Sequence, residues 1–197
     1  TLTLFEHPDH VPRVEWDSAG SRLGLLVEEA RTNEFVYSEA FNETNWQRPN
    51  DSYAASTLPF TEQSPTKVSN SAATLVDDSS GGTGGVYIRA LVSGLTNSTP
   101  HTFSVFAKKD QLSYLALETK FFTVSTATVY FDLDAGTVGT ATNCTGAIQA
   151  YPDGWYRCSL TFTTDASDTS GYGNIFVAEG DGDKIVDRDG TSSIFIF

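Results

Sequence analysis

The chain has no methionine, two cysteines, three histidines and few basic residues, and each scarcity removes a class of function. No apolar stretch approaches the roughly 20 residues that carry a helix across a bilayer. Two cysteines and three scattered histidines do not make a zinc site. Twelve Lys and Arg against 25 Asp and Glu leave a net charge of −13. Phosphate backbones are bound through basic side chains that release counterions, so nucleic acid is an unsuitable partner, as is an anionic membrane surface. The setting that fits is a soluble protein in salty or extracellular medium, where screening reduces acidic self-repulsion. The start, Thr1 to Phe5, lacks the basic region and cleavage site of a signal peptide. With no Met at position 1 and an apolar run at 193–197, the sequence suggests a piece whose ends were set by processing.

What is present is strand-forming sequence. The 197 residues suit one domain with an appendage, or at most two small domains. From Ser64 onward, short runs rich in Val, Ile, Thr, Phe and Tyr alternate with clusters of Gly, Ser, Asn, Asp and Pro. Strands are predicted over 67–75, 86–93, 102–108, 114–122, 127–133, 147–151, 155–163, 173–178 and 193–197. This pattern indicates an all-β protein, an antiparallel sandwich or jelly roll. The stretch Gly24 to Trp46 shows neither helical nor strand periodicity, as an entry strand or extended arm would; 41–46 could form one helical turn.

Period-two alternation sorts the faces. Phe103, Val105 and Ala107 share one side of their strand, as do Val129, Phe131 and Leu133, and Tyr156, Cys158, Leu160 and Phe162. The opposite sides carry Tyr87, Arg89, Phe106, Lys108, Tyr114, Glu118, Tyr130, Trp155, Arg157 and Phe176. Large aromatics and charges on a non-core face need a reason. Rings that stack on sugar faces beside charged hydrogen-bonding groups would form a glycan groove. Burial beneath a loop, an arm or a neighbouring subunit is the plainer alternative.

The Pro152-Asp153-Gly154 turn predicts a hairpin that sets Cys158 opposite Ile148 and Cys144 opposite Phe162. A regular ladder holds the sulfurs about four residues apart, too far for a disulfide, whereas a bulge at Gly146 would bring them within reach. Glu179, Asp181, Asp183, Asp187 and Asp189 lie among glycines, a supply of hard oxygen ligands of the kind calcium takes. Their spacing is not that of an EF-hand, and a solvated acidic loop would read the same way. For nucleophilic catalysis the chain offers little: His7 and His10 fall in the expected arm, and no Gly-x-Ser-x-Gly elbow occurs. Glu118 is the one strand carboxylate flanked by outward aromatics, and glycoside hydrolysis needs two.

Five ordered blocks carry a resemblance. They are Gly24-Leu25-Leu26-Val27-Glu28-Glu29-Ala30-Arg31-Thr32-Asn33 with Tyr37 to Phe41 and Trp46, then 102–108, then Tyr130 to Gly139, then Asp153 to Cys158, then Asp189 to Ile196. Together they look like a domain common in tailed-phage fibres, head spikes and tail proteins, itself similar to jelly-roll carbohydrate-binding modules. The chain departs from that pattern at Asn33-Glu34-Phe35, where the family often has Asn-Leu-Leu, and lacks the strand end that usually follows Ile196. The resemblance implies a structural calcium between entry segment and last strand, engaging Glu39 with Asp187 or Asp189.

The expected organisation is an extended arm over 1–23 and an antiparallel jelly-roll β-sandwich over 24–197. The expected function is non-catalytic glycan recognition on a phage fibre, virion or other extracellular protein, with a polysaccharide or cell-surface glycan as partner and room for a homotrimer through the parent fibre. Trp155, Arg157, Tyr87, Arg89 and Tyr130 lead the ligand-binding set, with Phe106, Lys108 and Glu118 beside them. A structural or assembly domain is the alternative, and a polysaccharide lyase or glycosidase the third.

Overall fold

The computed structural model describes residues 13–16, 22–26, 33–35, 40–41, 43–48, 62–65, 72–122 and 126–197. Contacts divide the chain into two compact units, Thr1–Asn33 and Glu34–Phe197. In the first, β1 (Arg13–Trp16) pairs antiparallel with β2 (Arg22–Leu26), with Val14 opposite Leu25 and an irregularity between Glu15 and Trp16. The boundary drawn from sequence at residue 23 falls inside β2. Glu28, Glu29 and Arg31 lie outside the described residues.

The second unit is an antiparallel β-sandwich. One sheet runs β10 (Thr145–Ala150), β11 (Tyr156–Thr163), β6 (Pro100–Lys109), β14 (Ser193–Ile196) and β4 (Ala73–Val76). The other runs β13 (Ile185–Asp187), β5 (Thr83–Ser93), β12 (Ser170–Ala178), β7 (Tyr114–Lys120), β8 (Ala127–Asp132) and β9 (Thr137–Thr142), with β3 (Trp46–Gln47) also pairing with β5. The orders β11-β6-β14-β4 and β5-β12-β7-β8 place β4, β5, β6 and β7 alternately in the two sheets, a jelly-roll connectivity. The strands β9 and β13 were not expected from sequence. The first, Thr-Val-Gly-Thr-Ala-Thr, is mostly exposed, and the second is three residues long, so neither carries an apolar stripe.

The inner faces meet in one core. Val86, Ile88, Leu115, Leu117, Val129, Phe131, Ile175 and Val177 from one sheet pack with Phe103, Val105, Cys158, Leu160, Ile194 and Ile196 from the other. Phe35 packs against this core. Its ring stacks on Phe103 at 4.9 Å and on Trp46 at 5.9 Å. Gly173 makes room for it, since a Cβ there would stand 2.7 Å from the Phe35 Cζ. Where the sequence allowed a helical turn at 41–46, the described residues form tight turns instead, with Glu43 N–H to Ala40 O and Trp46 N–H to Glu43 O, both at 3.0 Å, leading into β3.

The predicted hairpin register holds: Cys158 is opposite Ile148, and Thr145 opposite Thr161. Both cysteines are free, as the regular ladder requires, and burial pushes the Cys158 thiol far above its ordinary pKa. Two carboxylates then close the loops. Asp77 is buried and accepts from the backbone N–H groups of Ser79, Gly190 and Ser192 at 2.7–2.9 Å, tying the end of β4 to the start of β14. Asp132 accepts from Asp134 and Ala135 N–H and from the Tyr114 hydroxyl, which fixes the β8–β9 turn.

Gly173→Ala should cost about 1–3 kcal/mol through overpacking against Phe35, seen as a lowered denaturation midpoint with an unchanged slope. Hydrogen bonding from Ala135 N–H, joined by that from Asp134 and Tyr114, holds the Asp132 carboxyl below the usual carboxylate range. A depressed folded pKa stabilises the fold above the unfolded value, about 3.9, and that contribution disappears as pH falls through the folded one. The difference in melting temperature between the wild type and Asp132→Asn should therefore shrink as pH is lowered below about 4.

Candidate functional site

Because the inner residues of both sheets face the core, the sequence-predicted outward residues lie on two opposite surfaces. Phe106, Lys108 and Arg157 belong to the outer face of the β10-β11-β6-β14-β4 sheet. Tyr87, Arg89, Glu118 and Tyr130 belong to the outer face of the other. A single recognition face containing all of them is thus corrected to two, since strand alternation fixes a side chain's side of its own sheet and not which sheet it joins.

The first group is tied down by neighbours. Lys108 pairs with Glu62 at 2.7 Å, and the Phe106 ring stands edge-on to Tyr151 at 4.9 Å. Exposed Arg157 donates to the Ser104 hydroxyl at 3.4 Å. Trp155 precedes β11, and its main chain closes the hairpin by accepting from Tyr151 N–H at 2.8 Å and donating to Pro152 O at 3.4 Å. Its side chain is 1% exposed, so the expectation that it presents a stacking ring to a ligand is corrected: periodicity gives the direction of a side chain and says nothing of what lies over it.

The second group forms an ordered surface. Registers align Gln47, Arg89, Asn174, Glu118 and Thr128 in one row across β3, β5, β12, β7 and β8. Two residues along the strands in one direction lies a row of Tyr87, Phe176, Ala116 and Tyr130. In the other direction lies the row Leu91, Tyr172 and Lys120, with the Phe121 ring edge-on to Tyr172 at 5.7 Å. A polar row is therefore bracketed by two rows containing aromatic side chains.

Within the polar row, Arg89 Nε donates to Gln47 Oε1 at 3.0 Å while its guanidinium sits 4.4 Å over the Tyr172 ring. Glu118 is buried and accepts from Asn174 Nδ2 at 2.9 Å, from Thr128 Oγ1 at 3.4 Å and from Lys184 Nζ. Asn174 is 2% exposed, and its Oδ1 meets no donor among the described residues. A buried acceptor left unmet costs about 1–3 kcal/mol, which makes it a place to expect a ligand group or water.

The upper aromatic row is half covered. Tyr87 stacks on Phe176 at 4.3 Å, and Lys184 Nζ lies 4.6 Å over the Phe176 ring. Tyr130 and Phe176 are each 7% exposed. Burial, with the negative charge of Glu118 added, holds the Tyr130 phenol above its ordinary pKa, so it is a neutral hydroxyl at neutral pH. The open surface lies instead around Tyr172, where Phe121 is 65% and Leu91 54% exposed.

Sequence reasoning missed Asn174, Lys184, Tyr172 and Lys120. Asn174 was within reach, two residues from Phe176 on the same strand face. Lys184 sits between strands, where no periodicity points to it. Of the acidic residues proposed for calcium, Asp189 accepts from its own loop at Thr191 N–H and hydroxyl, and Asp187 is exposed, offering its main-chain oxygen to Ser192. Glu39 lies outside the described residues, and among those described no group of three or more His, Cys, Asp or Glu converges.

Trp155→Ala should lower stability by about 3–5 kcal/mol, as loss of a large buried ring does. Chemical denaturation at two probe wavelengths checks it; a change in ligand affinity without a loss of stability would return Trp155 to the surface. Compared with known proteins, the chain matches no family model and no curated sequence.

Proposed function

We propose that the chain is a non-catalytic glycan-recognition module of an extracellular or virion protein, and that its ligand lies along the outer face of the seven-stranded sheet. The observation that carries this reading is the polar row Gln47-Arg89-Asn174-Glu118-Thr128 set between rows containing Tyr172 and Tyr87. A sugar ring has apolar faces and a polar hydroxyl rim, so alternating ring and hydrogen-bonding rows about 7 Å apart suit a chain of saccharides laid across the strands. A binding role is favoured over turnover because both Glu118 oxygens are already engaged, by Asn174 on one side and by Thr128 and Lys184 on the other. No helix among the described residues is long and apolar enough to cross a membrane.

A second reading, an assembly domain of a fibre or capsid, draws on the exposed Phe121 and Leu91, which would also suit an apolar protein partner. Multi-angle light scattering at rising concentration separates the two: a trimer dissociated by Phe121→Ser favours assembly. For the glycan reading, Tyr172→Ala and Tyr87→Ala should each weaken binding to array-selected oligosaccharides by about 1–2 kcal/mol. Thermal melts should keep the fold intact in both variants. An array on which the intact chain retains no glycan would sink the proposal.

A further inference from the structure

The open end of the site is basic, in a chain of net charge −13. Arg89 and Lys120 flank Tyr172, one diagonal to it on β5 and one directly opposite on β7. Glu118, the nearest acid in the polar row, is already paired with Lys184. Neither Arg89 nor Lys120 has an ion pair with a described residue, whereas Lys108, Lys109, Lys184 and Arg188 each do. Arg89 spends only its Nε, on Gln47, leaving the Nη groups without an acceptor among the described residues. The guanidinium is held in place by that bond and by the Tyr172 ring beneath it.

We infer that this end of the face selects acidic glycans, binding a uronate with its carboxylate on Arg89 and Lys120 and its ring against Phe121 and Tyr172. This rests on the glycan reading above and adds the class of sugar. A planar carboxylate matches the remaining guanidinium hydrogens in a two-point contact, and Lys120 adds charge without demanding geometry. Charge complementarity favours this occupant over a neutral chain, because an uncompensated cation pair is released from mutual repulsion only by an anion. Loss of the carboxylate would leave both cations facing a neutral hydroxymethyl group.

The test is a calorimetric titration of the whole chain with oligogalacturonate, oligomannuronate and hyaluronan oligosaccharides, each beside its carboxyl-reduced counterpart, and with a heparin oligosaccharide. At least one uronate should bind, about tenfold or more tightly than its reduced form, and weaken as NaCl rises from about 0.05 to 0.5 M. Arg89→Gln should cost about tenfold and Lys120→Gln about threefold for the uronate, with no loss for the reduced form. Lys120 is exposed, so its variant keeps the test valid if Arg89→Gln is poorly folded. Equal binding of the reduced oligomer, indifference to both substitutions, or tight heparin binding that survives reduction of heparin's own uronate carboxyls overturns the inference. Binding of neutral glycans alone would overturn it and leave the glycan reading standing, whereas failure of every glycan, neutral and acidic, removes both.

Discussion

The Lys184–Glu118 ion pair sets what this surface can do. It brings the segment between β12 and β13 down onto the sheet, with the Lys184 ammonium over Phe176 and its hydrogen bond on a buried carboxylate. At the middle of the same segment, Asp181 accepts from the Thr140 N–H and hydroxyl at 2.7 and 3.0 Å, anchoring it to β9. Half of the outer aromatic row is thereby removed from water, and the other half is left as accessible surface. A partly buried pair is not a large source of stability by itself, because desolvation offsets much of the attraction. Removing one partner is a different matter, since it strands the other charge against apolar rings. The pair therefore specifies a geometry: which rings are structural, and which are free.

That geometry also explains how two readings of one face can both contain truth. The alternation along β5, β7, β8 and β12 marks Tyr87, Arg89, Glu118, Tyr130 and Phe176 as turned away from the core, and they are. Some of them are nevertheless buried, because the short turn segment between β12 and β13 lies nearby and nothing in strand periodicity reports it. An open surface and a covered one exist side by side on this sheet, divided along the polar row.

The fold was legible because its signal is local. Strands β5, β6 and β11 alternate cleanly, and the Pro152-Asp153-Gly154 turn fixed the β10–β11 register to the residue. What escaped was non-local. The assignment of β6 and β11 to one sheet and β5 and β7 to the other follows from short loops that cross between the sheets, which no residue pattern encodes, so the predicted site merged two surfaces. Trp155 illustrates a second limit: its large ring next to a turn has the composition of a ligand platform and the burial of a keystone. Asn174 was hidden for a third reason, as a polar residue in a strand is ordinarily a solvent-facing one, and its value lies in the neighbour that it lacks.

The position of β14 has a consequence for how the sandwich is made. It is hydrogen-bonded to β6 on one side and to β4 on the other, so residues 193–196 occupy an interior place in their sheet. Strand β4 has no other ladder partner among the described residues, and Asp77 at its end waits for the N–H groups of Gly190 and Ser192. A chain emerging from the ribosome must therefore keep β4 unpaired and Asp77 uncompensated until residues 190–196 arrive. Assembly of this sheet is a late, long-range closure, slow in the manner of high-contact-order β proteins and sensitive to loss of only a few residues near position 196.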